Sequence, residues 1–128
     1  MKTIICGSRH FAAPALMKRV MANLRWSPTE VISGCAPGAD TYGEKWAASN
    51  RISVKQFPAN WKTYGRAAGP IRNKQMAKYG DACVAFLYAG SRGTKNMIHL
   101  ATIKGMPLCI VYCDEDGRIE YTGPSVLI

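Results

Sequence analysis

The chain reads Ala82-Cys83-Val84-Ala85-Phe86-Leu87-Tyr88-Ala89 and then turns at Gly90-Ser91-Arg92-Gly93-Thr94. The first stretch is a nearly unbroken apolar run, which is typical of a strand buried on both faces of a parallel sheet. The glycine-rich turn opens a helical pattern that extends to about residue 104, and residues 107–113 form another apolar run. These residues therefore predict a strand, a crossover helix and a second strand of an α/β fold.

The rest of the chain repeats this alternation of apolar runs and helical patterns. The other predicted strands are residues 3–6, 30–33 and 53–57, and the other predicted helices are residues 14–24, 39–50 and 70–80. Residues 118–121 are a candidate edge strand in the tail. Thr41 and Glu44 have the spacing of a capping box, and Pro70 suits the first position of its helix. Because no linker or repeat interrupts the pattern, residues 1–128 are expected to form a single α/β domain.

Composition excludes several classes of protein. The 128 residues include 17 Lys and Arg against 8 Asp and Glu, a net charge of +9, and 48% are hydrophobic. This content excludes a disordered chain, and no stretch approaches the ~20 apolar residues of a membrane span. The first apolar run ends at Gly7, too early for the ~7–15-residue core of a signal peptide. We therefore expect a cytoplasmic protein that does not contact a membrane.

The cysteines do not predict a metal or disulfide site. There are five, an odd number, and none forms a Cys-x-x-Cys pair. Cys109 and Cys113 would lie ~13 Å apart in a strand, at ~3.3 Å per residue, too far to share one ion. Reduced thiols packed as small hydrophobic residues are the expectation, with no metal and no cofactor.

Three glycine-containing loops follow predicted strands: Gly7-Ser8-Arg9, Gly34-Cys35-Ala36-Pro37-Gly38-Ala39-Asp40 and Gly90-Ser91-Arg92-Gly93-Thr94. In an open parallel sheet such loops meet at the carboxyl ends of the strands, where ligands bind. Glycine lets backbone amides approach an anion, although ordinary turns also need glycine. Arg92 and Lys95 flank a helix amino terminus, where the helix dipole disfavours positive charge unless an anion binds. Phosphate binding is the preferred interpretation, with solvated side chains as the alternative.

Other side chains suit a nucleotide less specifically. Arg72 and Asn73 follow Pro70 in a predicted first helical turn and are apt for phosphate or ribose hydroxyls, with a solvated surface as the alternative. Trp61 and Tyr64 suit either stacking on a base or a lid over the core.

Candidates for acid–base chemistry are few. Asp40 and Glu44 are the carboxylates near the predicted carboxyl edge, and neither forms an evident acid–base pair. His10 and His99 have no spacing typical of a catalytic triad or metal site, so both are interpreted as structural or surface residues.

The loops together resemble the SLOG superfamily of Rossmann-like nucleotide-binding domains, in particular its small YspA/YpsA-related branch. The resemblance spans most of residues 3–112. It is carried by Gly7-Ser8-Arg9, Gly34-x-Ala36-x-Gly38-Ala39-Asp40, Trp46-Ala47, Phe57-Pro58-Ala59-x-Trp61, Tyr64-Gly65, Ala68-Gly69-Pro70-Ile71-Arg72-Asn73-x-x-Met76 and Gly93-Thr94-x-x-Met97. The stretch from Ala68 to Met76 is the most specific of these.

The resemblance implies a sheet of order 3-2-1-4-5 with a nucleotide or nucleotide-derived ligand at its carboxyl edge. The implied ligand-binding residues are Gly7, Ser8, Arg9, Gly34, Gly38, Ala39, Asp40, Arg72, Asn73, Gly90, Ser91, Gly93 and Thr94. The sequence departs from the related LOG phosphoribohydrolases at Asn73, Ser91 and Met97, which stand where that branch has lysine, glycine and a catalytic glutamate. A phosphate cradle is thus expected without the hydrolytic carboxylate, and no catalytic residue is assigned.

Three functions follow as hypotheses. The first is binding or sensing of a phosphorylated nucleoside or an ADP-ribose-like molecule. The second is a nucleotide N-glycosidase in which Asp40 or Glu44 replaces the missing glutamate. The third is binding of single-stranded nucleic acid, since basic charge favours polyanions but is here spread along the chain. A homo-oligomer, a dimer or a dimer of dimers, is also expected, because the crossover helices carry more apolar residues than a five-stranded domain should expose.

Overall fold

The computed structural model describes residues 1–113 and the backbone of residues 119–122. This part of the chain forms one sheet of strands β1 (Lys2–Gly7), β2 (Glu30–Ser33), β3 (Ser53–Gln56), β4 (Ala82–Tyr88), β5 (Leu108–Cys113) and β6 (Ile119–Thr122). The order is β3-β2-β1-β4-β5-β6, with the first five strands parallel and β6 antiparallel. The expected order 3-2-1-4-5 is confirmed. The candidate edge strand is present as β6, and residue 118, its predicted start, lies outside the described residues.

The helices are α1 (Pro14–Ala22), α2 (Ala39–Ser49), α3 (Trp61–Tyr64), α4 (Ala68–Tyr79) and α5 (Arg92–Lys104), and a 3₁₀ turn (Gly65–Ala67) leads into α4. The predicted start of α4 at Pro70 was wrong by two residues. Proline fits inside the first turn because the first four backbone N–H groups of a helix have no helical partner. Arg72 therefore lies in the second turn. Within the described residues, no helix is long and apolar enough to span a membrane.

Helices cover both faces of the sheet, and the alternation of side chains along each strand explains how. Ile5 and Val84 pack with the buried faces of α1 and α2, whereas Ile4 and Cys83 pack with those of α4 and α5. Successive strand residues point to opposite faces, so each buried strand serves two cores. This gives the three-layer α/β arrangement that the apolar run at residues 82–89 predicts.

The amino terminus of α2 differs from the predicted capping box. Gly38 is the N-cap residue, and no side chain caps the helix there. Thr41 donates from its hydroxyl to the Ala36 carbonyl at 3.1 Å. Glu44 instead accepts hydrogen bonds from the Ser33 hydroxyl at 2.5 Å and the Gln56 amide at 3.2 Å. Glu44 thus joins α2 to strands β2 and β3.

Lys104 joins the ends of α4 and α5. Its ammonium group donates to the carbonyls of Ala77, Lys78 and Gly80, at 2.7, 3.1 and 2.7 Å. These carbonyls end α4, where a cation stabilises the negative end of the helix dipole. The pair of helices beside the carboxyl edge is therefore fixed at its far end.

Candidate functional site

A cleft of about 1830 Å³ opens at the carboxyl edge of the sheet, above β1, β2 and β4. This is the position expected for a ligand site, because the order of the parallel strands reverses between β1 and β4. Most of the predicted ligand-binding residues line it: Gly7, Ser8, Arg9, Gly34, Asp40, Arg72, Asn73, Gly90, Ser91, Gly93 and Thr94. The three loops and the α4 segment therefore meet in one place.

Gly38 and Ala39 lie outside the lining of the cleft. Gly38 has a φ of +82°, and a Cβ there would collide with the backbone of Ser8 and Arg9. Ala39 is fully buried, and its N–H donates to the Ser8 carbonyl at 3.1 Å. These residues hold the β2–α2 loop against the β1 loop. This contact explains structurally why glycine and alanine stand at these two positions of the motif.

The amino terminus of α5 faces the cleft without a cap. Ser91 is the N-cap residue but makes no side-chain hydrogen bond to the helix backbone, and the first turn has no acidic residue. Its hydroxyl instead pairs with the Thr94 hydroxyl at 2.7 Å. A Cβ placed on Gly93 would meet no atom within 4 Å. The N–H groups of this turn, which lack helical partners, are thus accessible to an anion.

Asn73 lines the cleft, and its side chain is bound within the protein at both the amide nitrogen and the amide oxygen. It is 5% exposed, and its Nδ2 donates to the Gly93 carbonyl at 3.2 Å and to Asn96 Oδ1 at 2.9 Å. Its Oδ1 accepts from Arg72 Nε at 3.0 Å. Since an amide has two N–H donors, both are used within the protein. Asn73 therefore braces the site.

Arg72 lines the cleft and is held by the protein on two sides. Besides the bond to Asn73, its Nη1 donates to the Gly34 carbonyl. These contacts use two of the five N–H donors of a guanidinium group. The group is fixed in orientation at the junction of β2, α4 and the cleft, which is the preorganisation that a bidentate anion contact requires.

Asp40 brings a buried carboxyl to the cleft. It is 7% exposed, and its Oδ2 accepts from the Ala36 N–H at 3.1 Å. The pKa of Asp40 is raised to about 6, chiefly by burial and to a lesser extent by nearby Glu44, against the lowering effects of Arg72 and the amides of Ala36 and Gly34. Glu44 does not line the cleft. Of the two predicted carboxylates, Asp40 is therefore the one placed to meet a ligand.

Most of the charged side chains in the described lining are cationic. They are Arg9, Arg66, Arg72, Arg92 and Lys95, with Asp40 as the carboxylate among them. Sequence reasoning missed Arg66, which lies in the 3₁₀ turn before α4 and carries no local signal beyond its charge. Its place in the cleft depends on the path of the chain through residues 61–67.

The exposure of the aromatic, histidine and cysteine side chains tests several of the predicted roles. Trp61 and Tyr64 are 56% and 49% exposed, so the lid over the core was a wrong interpretation; Trp61 lines the rim of the cleft. His10 and His99 are exposed, in agreement with the surface interpretation. Cys35 is exposed and the other four cysteines are buried. Among the described residues, no group of three or more potential metal ligands occurs.

A family model describing the YspA, cpYpsA-related SLOG family matches residues 1–64, half of the chain. The gene 61 protein of Mycobacterium phage D29 is 31% identical over 116 residues, which cover 84% of this chain and 93% of that protein. The chain belongs to the YspA, cpYpsA-related SLOG family. The β1 and β2 loops of this SLOG protein fall within the matched residues, whereas α4 and α5 lie beyond them.

A solved structure supports the fold of this SLOG protein. The X-ray structure of DNA processing protein A (DprA) from Streptococcus pneumoniae superposes with a TM-score of 0.53 at 16% sequence identity. The match covers 94% of this chain and 62% of DprA, so the chain spans less than two thirds of that protein. At such low identity the likeness concerns the Rossmann-like fold alone.

Met97 of α5 lies at the position where the LOG branch has its catalytic glutamate. It is 1% exposed and touches the cleft from below. A thioether neither donates nor accepts a proton at the strength that acid–base catalysis requires. The position at which the resembling LOG branch has glutamate is therefore apolar here.

Proposed function

We propose that this SLOG protein binds a phosphorylated nucleoside or an ADP-ribose-like molecule in the cleft, as a binding or sensing protein. One observation carries the proposal: the uncapped amino terminus of α5 opens into a cleft whose described lining holds five cationic side chains and one carboxylate. Such a site attracts phosphate through both backbone amides and charge. Membership of the SLOG family points to nucleotide-related binding or processing.

In the proposed complex, a phosphate accepts hydrogen bonds from the backbone N–H groups around Gly93 and Thr94. Arg72, and Arg9 from the β1 loop, supply further charge. The nucleoside part extends along the cleft, where the exposed ring of Trp61 offers a stacking surface at the rim. This placement uses groups that the fold already holds in position, so little ordering is needed on binding.

Two measurements test the proposal. Mass spectrometry of the purified protein is expected to find a retained phosphorylated small molecule. Isothermal titration calorimetry is expected to detect binding of AMP or ADP-ribose at physiological salt. Failure of both compounds to bind, with no retained phosphate compound, would contradict the proposal.

A second candidate is a nucleotide N-glycosidase, and the position of Asp40 favours it. Asp40 lines the cleft, and its pKa of about 6 lies close to the range in which a carboxyl serves as general acid or base. Chromatography after incubation with AMP tests this candidate. Release of adenine that disappears in Asp40→Asn supports an enzyme, and intact AMP supports the binding protein.

The remaining proposals concern context. Binding of single-stranded nucleic acid has support from the net charge of +9 and from the name of DprA, a DNA processing protein. Affinity for an oligonucleotide that persists at physiological salt would favour nucleic-acid binding over a small ligand.

A cytoplasmic location is also proposed, because the exposed thiol of Cys35 suits a reducing compartment.

A further inference from the structure

Asp40 is an unexpected group in a site for phosphate. A carboxylate repels a phosphate, and its burial is costly unless it gains partners. The raised pKa of Asp40 has burial as its largest cause. A ligand that contained phosphate alone would be bound better without this side chain. Because Asp40 lines the cleft, its carboxylate is in a position to accept a hydrogen bond from a ligand.

The geometry places Asp40 close to Arg72, which is proposed to contact the phosphate. A Cβ built on Gly34 would lie 2.5 Å from Arg72 Nη1 and 2.9 Å from Asp40 Oδ2. The guanidinium and the carboxylate thus both approach residue 34 so closely that a side chain there would collide with them, and glycine lets the two groups lie side by side in the cleft. A ligand that occupies this part of the cleft meets a cation and a hydrogen-bond acceptor side by side.

Both groups are held in place by the protein. The Ala36 N–H fixes Asp40 at the start of α2, and the Gly34 carbonyl and Asn73 fix Arg72. Neither side chain needs to order itself when a ligand arrives. Fixed polar groups of this kind discriminate strongly, because a ligand without the matching group leaves them unpaired.

We infer that Asp40 accepts hydrogen bonds from the ribose hydroxyls of the ligand, so that the cleft selects ribonucleotides over 2′-deoxyribonucleotides. The inference rests on the proposed function. A ribose phosphate carries an anion for Arg72 and neighbouring hydroxyl donors for a carboxylate within one unit. Acidic side chains bind ribose hydroxyls in other open α/β sheets, so the chemistry is suitable.

The experiment compares AMP with 2′-deoxy-AMP by calorimetry, at a pH well above the pKa of Asp40. The parent protein is expected to bind AMP about tenfold or more tightly than 2′-deoxy-AMP, as one hydrogen bond to a charged acceptor allows. Asp40→Asn, whose amide oxygen is a weaker acceptor than a carboxylate, is expected to show a clearly smaller preference. Asp81→Asn is the matched control, because it removes a carboxylate that is exposed and does not line the cleft, and it should keep the preference.

Other outcomes overturn the inference in distinguishable ways. Equal binding of AMP and 2′-deoxy-AMP by the parent overturns it while leaving the proposed function intact. A preference for AMP over IMP that is lost in Asp40→Asn, with no dependence on the sugar, shows that Asp40 contacts the base and also overturns it. An unchanged preference of Asp40→Asn for AMP over 2′-deoxy-AMP also overturns the inference. Failure of the parent to bind AMP overturns the inference for this ligand, and failure with ADP-ribose as well contradicts the proposed function.

Discussion

The side-chain amide of Asn73 donates to the backbone carbonyl of Gly93 at 3.2 Å and so ties α4 to the first turn of α5. The same side chain accepts from Arg72 Nε at 3.0 Å. One buried group thereby sets the distance between the guanidinium and the open helix amino terminus. With Lys104 joining the other ends of these helices, the two proposed phosphate-binding elements form a preorganised unit.

Asn73→Ala is predicted to weaken both the fold and the site. Removing a buried amide leaves its partners Gly93, Asn96 and Arg72 without these bonds, which typically costs about 1–3 kcal/mol. AMP affinity should fall several-fold, because the Arg72 guanidinium and the α5 turn lose their common brace. Denaturant unfolding and calorimetry measure the two effects. Asn50→Ala is the matched control, because it removes an exposed amide outside the cleft, and it should leave AMP affinity unchanged. If Asn73→Ala also leaves AMP affinity unchanged, the contacts of Asn73 have no role in binding.

Arg72→Ala is predicted to reduce AMP affinity about tenfold or more, since charge-assisted hydrogen bonds are typically worth ~1.5–3 kcal/mol. Some loss of stability is also expected, because the bonds to Gly34 and Asn73 disappear. Arg25→Ala is the matched control: Arg25 is exposed and does not line the cleft. Calorimetry on the two folded variants measures their dissociation constants for AMP. Equal dissociation constants of Arg72→Ala and Arg25→Ala for AMP would show that Arg72 does not contact the ligand.

Asp40→Asn is predicted to stabilise the protein at neutral pH. The folded-state pKa of about 6 lies above the ordinary 3.8, so the folded protein binds more protons between these values and its stability rises as pH falls through this range. Above pH 6 the buried charge costs up to about 3 kcal/mol. Thermal unfolding should show a higher Tm for the variant at neutral pH, with the difference shrinking towards pH 4. A difference that is constant across this range would contradict the pKa assignment.

Local sequence patterns predicted the sheet and the gathering of the loops, because apolar runs and glycine turns depend on neighbouring residues. The strand at residues 82–88 and the helix that follows Ser91 are examples. The start of α4 was missed because proline is tolerated throughout a first helical turn. The bracing contacts of Asn73 and the place of Arg66 in the cleft were not predicted, because both depend on how distant parts of the chain come together. Asn73, for example, meets Gly93 across twenty positions.

The apolar excess of the helices predicts self-association, and the exposed rings of Trp61 and Tyr64 on α3 are candidates for the interface. Sedimentation equilibrium at micromolar concentration is expected to give at least twice the chain mass of 14.0 kDa. A single species at the chain mass, both with and without AMP, would rule out this assembly.

The first turn of α5 is proposed to hold the phosphate, and the variant Gly93→Val probes this turn at the point of contact. A Cβ at Gly93 meets no atom within 4 Å, so the variant should fold and unfold like the parent, while its branched side chain blocks access to the backbone amides. Calorimetry with AMP and ADP-ribose is expected to show at least about tenfold weaker binding by Gly93→Val, with an intermediate loss for Gly93→Ala. A folded Gly93→Val protein that binds these compounds as tightly as the parent would show that the first turn of α5 does not hold the phosphate.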